Sequence, residues 1–211
     1  MKNSRNCRKT LRRLGHTIFH PFAGFGDCVE ENFFPVSHGL FVLILFFLCT
    51  IASQQWTGFL FNYTNPESLN ILLIFAKTVI LFFIWCGANW AITTLFEGKG
   101  SFRQIFYVSS VSLVPYVTVL LLNTLLSNLV TPDEGTFLSI LKWAGILLSV
   151  FVLLAALMTI HDYTLEKVIV STLFSLIFII IILFLAIIVF SLFQQAFGFF
   201  KDVFNELTFM L

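Results

Sequence analysis

The segment NWAITTLFEGKGSFRQIF, residues 89–106, decides how the chain is read. Its Gly98, Lys99, Gly100 and Ser101 resemble the end of a phosphate-binding loop, which would point to a soluble nucleotide-binding domain. Such a loop needs the spacing G-x-x-x-x-G-K-[ST] between a strand and a helix, because its backbone N–H groups must wrap the phosphates. Thr93 stands where the first glycine belongs, and Gly100 follows Lys99 where Ser or Thr is required. The residues ahead of it, LLIFAKTVILFFIWCGANWAITTLF, form one long apolar run and no short strand. The loop therefore joins two apolar segments, and the membrane has to be placed before the loop can be understood.

Composition takes the reading further. The 211 residues are 58% hydrophobic, include 28 Phe and are only 11% charged, which is too little charge for a soluble surface. Runs of about 20 apolar residues cross a hydrocarbon core of roughly 30 Å at about 1.5 Å per residue. Five such runs occur, at 35–53, 69–96, 105–130, 137–160 and 168–193. The predicted fold class is all-α, a polytopic membrane protein with five transmembrane helices. The second and third runs exceed a minimal span, so tilt or protruding ends are expected. Lys77 and Lys142 lie near run ends, where a lysine stem reaches the interface. Glu67 and the Asp133/Glu134 pair are the acids nearest to them. Pro115, midway along the third run, removes a backbone hydrogen bond and predicts a kink.

Charge sets the expected topology. Lys2, Arg5, Arg8, Lys9, Arg12 and Arg13 are half of the 12 basic residues, and the positive-inside rule keeps them in the cytoplasm. The alternation then places the 53–68 loop outside, with no Lys or Arg. The loop with Lys99 and Arg103 comes inside, TPDEG lies outside, and HDYTLEK is inside. The C-terminus is outside.

Four regions follow. Residues 1–16 are a basic cytoplasmic arm suited to anionic lipid. Residues 17–34 mix Phe with Asp27, Glu30 and Glu31 and read as an interfacial segment with Pro21 in a first-turn position. Residues 35–195 are the five-helix domain, and 196–211 are an amphipathic tail. That tail either extends the fifth helix, bends at Gly198 into the interface, or docks another subunit. Gly87/Ala91, Gly145/Ser149 and Ala155/Thr159 have the small-x-x-x-small spacing that lets helices approach. Asn89, Thr93, Thr94, Asn123, Ser127 and Asn128 are expected to form interhelical hydrogen bonds. The four cysteines, without C-x-x-C spacing, are expected as thiols.

All eleven acidic residues lie in loops, arms or tails, whereas coupled carriers place ionisable groups near the midplane. The histidines have no metal-ligand arrangement, and no nucleophile motif is present. No catalytic, cofactor-binding or metal site is predicted, and no nucleic-acid partner. His161 with Asp162, followed by Tyr163 and Glu166, is the nearest approach to an acid–base cluster, with Glu97 and Lys99 on the neighbouring inside loop; helix capping or charge pairing is their expected role. Asn62-Tyr63-Thr64 matches a glycosylation sequon.

Together HPFAGF, SQQWTGFLFN, WCGANWAITTLFEGKGSFRQIFYVSSVSLVPY, LSNLVTPDEGTF and IHDYTLEK resemble a bacterial member of the Yip (Ypt-interacting protein) domain family, from His20 to Lys167 in the expected order. The resemblance implies a five-helix membrane domain with a cytoplasmic N-terminus in the bacterial cell membrane, and no reaction. Eukaryotic members are trafficking proteins that associate with prenylated small GTPases and with each other. Bacterial members often accompany sugar-importing ABC permeases.

The resulting expectation is a non-enzymatic accessory subunit that packs against other integral membrane proteins, with ABC permease subunits as candidates. Its expected docking residues are Glu97, Gly98, Lys99, Gly100, Phe102 and Arg103, with His161 and Asp162 nearby. Gly98 and Gly100 are expected to allow a tight reversal at φ > 0 with the backbone exposed. The alternatives are a small carrier or channel for an uncharged solute, with Asn89, Thr93, Pro115 and Asn123 as its polar path, or a membrane-shaping protein.

Overall fold

A computed structural model describes residues 20–62 and 69–209, and every regular element among them is helical. The basic arm, Cys7, His16, Glu67 and the last two residues of the sequon lie outside the described residues. Five helices are long and apolar enough to cross a membrane: Val36–Trp56, Ile71–Leu95, Phe102–Leu126, Gly135–His161 and Leu165–Val203.

The chain starts with α1, Pro21–Glu30, whose proline sits in the first turn where its missing N–H costs nothing. This helix packs on the fourth span. Phe25 within it and Phe34 just after it are fully or almost fully buried in the protein core. The first span is α2, Val36–Trp56, and the second is α3, Ile71–Leu95. Within α3 the stretch Ala76–Ile80 is π-helical, with Lys77 exposed and Thr78 buried.

Pro115 divides the third span into α4, Phe102–Ser112, and α5, Val114–Leu126. A proline has no N–H for the ladder and its ring crowds the preceding turn. The interruption also frees the next N–H, and Tyr116 donates it to Ser149 Oγ at 2.9 Å. A backbone donor inside a membrane protein must find a partner within the protein. Here the fourth span, α6 (Gly135–His161), supplies it.

The third span is the centre of the bundle. In its apolar stretch 56% of residues are buried, against 6% in the fifth span. All of Ile105–Ser112 is buried, packed with Leu43, Phe82, Val152, Leu157 and Val168. Small residues allow the approach: a Cβ on Gly145 would come within 2.7 Å of the Val119 side chain, whereas one on Gly87 would meet nothing within 4 Å.

The last helix, α7, runs unbroken from Leu165 to Phe209 over 45 residues. Its first turns pack on α3 and bury Val168, Ser171 and Ser175. From 183 to 203 every residue is exposed. Gly198 does not bend it, so the tail continues the helix.

Candidate functional site

Three helices end in the same way. The N–H of Phe33 reaches the Cys28 carbonyl at 2.9 Å, that of Gly98 reaches Thr93 at 2.8 Å, and that of Tyr163 reaches Met158 at 3.1 Å. Each is a bond spanning five residues, and it requires a left-handed residue just before the donor. Those residues are Asn32, Glu97 and Asp162, with φ of 46°, 57° and 57°.

This corrects the expectation for the glycines. No glycine among the described residues has positive φ, and the reversal after α3 is made at Glu97. Gly98 and Gly100 serve instead to let another chain segment come close. A Cβ on Gly98 would lie 2.4 Å from His161 Nδ1, 2.6 Å from the Tyr163 hydroxyl and 2.9 Å from the Thr93 carbonyl. A Cβ on Gly100 would lie 2.7 Å from the His161 ring. The glycine backbone is thus covered by the His161–Tyr163 turn, not left open.

The two loops form one clamp. Gly100 donates its N–H to His161 Nδ1 at 3.2 Å, and Tyr163 donates its hydroxyl to the carbonyls of Thr93 at 3.1 Å and Phe96 at 3.0 Å. The His161 and Tyr163 rings stack at 5.1 Å, and Lys167 Nζ lies 4.5 Å over the Tyr163 ring. Lys99 closes the clamp from outside with a 2.8 Å ion pair to Asp162. That hydrogen bond, with the lysine charge, holds the Asp162 carboxyl below the usual carboxylate range. Burial, with the nearby Glu97 charge, pushes the Tyr163 phenol up.

Of the expected docking residues, the structure joins Gly98, Lys99 and Gly100 to His161 and Asp162. Arg103 is turned elsewhere: its Nε donates to the Phe34 carbonyl at 2.8 Å and ties the entry of α2 to the start of α4. Phe102 meets Trp90 edge-on at 6.4 Å. Glu97, Lys99 and Asp162 present their side chains at the surface. His161 is 2% exposed, with Nε2 unpartnered. Sequence reading placed it at the start of a loop and grouped Tyr163 with it, but gave that ring no part in holding the turn.

Asn89 and Thr93 do not share a cavity with Asn123. Asn89 is fully buried near the clamp end, and neither its Oδ1 nor its Nδ2 has a partner. Thr93 Oγ1 donates to the Asn89 carbonyl on its own helix at 2.7 Å. Asn123 lies toward the opposite end, lining a cavity of about 540 Å3 with Ser53, Gln54, Thr57 and Lys142. Ser127 and Asn128 do bond across elements, to the Gly58 N–H and the Trp56 carbonyl, each at 2.9 Å. Between the two ends, an apolar pocket of about 320 Å3 opens beside the Pro115 break, lined by Phe46, Phe82, Trp85, Tyr116 and Leu153 among others. Lys142 makes no ion pair with Asp133 or Glu134.

No curated protein and no solved structure matches the chain. A family model described as the Yip1 domain matches residues 15–188, from ahead of α1 into the exposed part of α7. With that match covering four of the apolar helices, the first part of the fifth and both loops of the clamp, the chain belongs to the Yip1 domain family.

Proposed function

We propose that the protein is a non-enzymatic accessory subunit that packs against other integral membrane proteins and stabilises or regulates a transport complex, a sugar ABC importer being the candidate. The observation that carries this reading is α7. At about 1.5 Å per residue its 45 residues reach about 68 Å, far beyond the 27-residue fourth span. Phe193, Phe197 and Phe200 fall on one face and are 66%, 78% and 70% exposed, with little cover from the described residues. An aromatic face of that extent is suited to a partner. The N-terminus and the clamp lie on the cytoplasmic side in this reading, where Glu97, Lys99 and Asp162 form a second, rigid contact surface.

The test is purification of the tagged full-length protein in mild detergent, with identification of co-eluting chains. Recovery of permease subunits, lost when residues 196–211 are removed, supports the proposal. A protein that elutes alone, and whose deletion alters no transporter, overturns it.

A carrier for an uncharged solute is the second reading, favoured by the unpartnered Asn89 amide and the cavity at Asn123. It requires flux in liposomes holding only this protein, abolished by Asn89→Leu.

A further inference from the structure

The cavity at Asn123 and the apolar pocket beside Pro115 share three helices, and their positions on those helices match. Phe46, Tyr116 and Ser149 line the pocket; Ser53, Asn123 and Lys142 line the cavity. Each pair is seven residues apart, two helical turns, which puts both members on the same face about 10 Å apart along the axis. The three helices therefore carry one track, polar at the end of the bundle and apolar toward its middle.

The polar end is particular in what it offers. Four of its hydroxyls have spent their protons: Ser53 donates to Thr50, Thr124 to Leu120, Ser127 to Thr124 and Ser139 to Gly135, all backbone carbonyls. The oxygens of Ser53, Thr124 and Ser139 are left as acceptors, while Ser127 Oγ already takes the Gly58 N–H. Asn123 Oδ1 is a further acceptor, buried and unpartnered. One cation stands among them, Lys142, which has no ion-pair partner among the described residues. A group that fits has one negative charge and its own hydrogen-bond donors, and it continues into an apolar chain.

We propose that this track holds a membrane phosphoglyceride whose headgroup carries donors, with its phosphate at Lys142, its hydroxyl or ammonium group at Asn123 and an acyl chain in the pocket at Trp85. The proposal is independent of any protein partner. Polyol and amine headgroups share this chemistry, and a choline headgroup lacks the donors.

Trp85 reports on the pocket, since it lines it and is fixed by a 3.1 Å bond from its indole N–H to Ser109 Oγ. Trp56, Trp90 and Trp143 are exposed and are replaced by Phe so that surrounding lipid does not dominate the signal. The single-tryptophan protein is reconstituted in phosphatidylcholine vesicles. It is titrated with acyl-brominated phosphatidylglycerol, phosphatidylethanolamine or phosphatidylcholine. Saturable quenching by the glycerol or ethanolamine lipid, stronger than by the choline lipid, is expected, and which of the two is stronger identifies the donor. Lys142→Gln should weaken that binding about tenfold, the effect of losing one charge-assisted hydrogen bond. Asn123→Leu should remove the preference over phosphatidylcholine, and Ile146→Phe, at a residue that also lines the pocket and would fill it, should remove the quenching.

Equal quenching by all three lipids, or no response to these substitutions, overturns the proposal. Should the tryptophan variant not fold, lipid retained by the otherwise unaltered protein through detergent exchange is identified by mass spectrometry. Retention of a donor-bearing phosphoglyceride that Asn123→Leu loses supports the site; the same lipid content in both overturns it.

Discussion

Gly98 shows that a glycine can be required for what it lacks and not for how it bends. Its φ is negative, yet a methyl group there would strike the His161 ring, the Tyr163 hydroxyl and the Thr93 carbonyl, the last of which is backbone and cannot swing aside. Gly98→Ala is expected to destabilise the fold by about 1–3 kcal/mol through overpacking. Gly87→Ala, with open space around it in the middle of α3, should stabilise by about 0.5–1 kcal/mol from helix propensity alone. Thermal unfolding in detergent separates the two by sign. Asp162 adds a pH dependence. Its folded carboxyl is held below the unfolded value, so the Lys99 contact contributes stability above the ordinary carboxylate pKa and loses it as pH falls through the lower folded one. Asp162→Asn and the unmodified protein should differ in melting temperature at neutral pH and converge in acid. Both acids that end these helices also sit at the negative pole of the helix dipole, and Lys99 offsets that for one of them.

At the level of elements, the apolar runs read from sequence match the helices to within a few residues at most ends, because run length and charge are strong signals. The fifth was the exception: its apolar run ends at 193, and the sequence left open whether the tail extends the helix or bends at Gly198, while the structure carries the helix on to Phe209. The π-helical turn at Ala76–Ile80 had no signal, since no proline or glycine marks it. Pro115 marked the break in the third span but not its repair. The partner of the displaced N–H comes from Ser149, and a contact between positions 33 residues apart is not written in either local stretch. Ser149→Ala should leave that donor unsatisfied and cost about 1–3 kcal/mol. Ser149→Thr, which keeps the oxygen, should recover most of the loss in the same denaturation measurement.

For the whole molecule, the residues of the clamp were legible and its geometry was not. EGKGS and HDY were recognisable as two loops on one side, but the covering of Gly98 and Gly100 by a buried His161 depends on how α4 and α7 hold the ends of α3 and α6 together. The α7 extension makes a prediction at this scale. Removing residues 196–211 should leave the melting temperature in detergent unchanged, because Phe197, Phe199 and Phe200 are exposed on the helix. A drop comparable to that of Gly98→Ala would mean that the tail supports its own fold. The broken third span has a mechanical consequence. Its first half, α4, is locked in the core at the clamp end, and its second half, α5, forms a wall of the track and packs along α2 and α6, so the two halves lean on different neighbours across Pro115. The Ser149 hydroxyl bridges the joint itself, so the break in one span is splinted by a side chain of another.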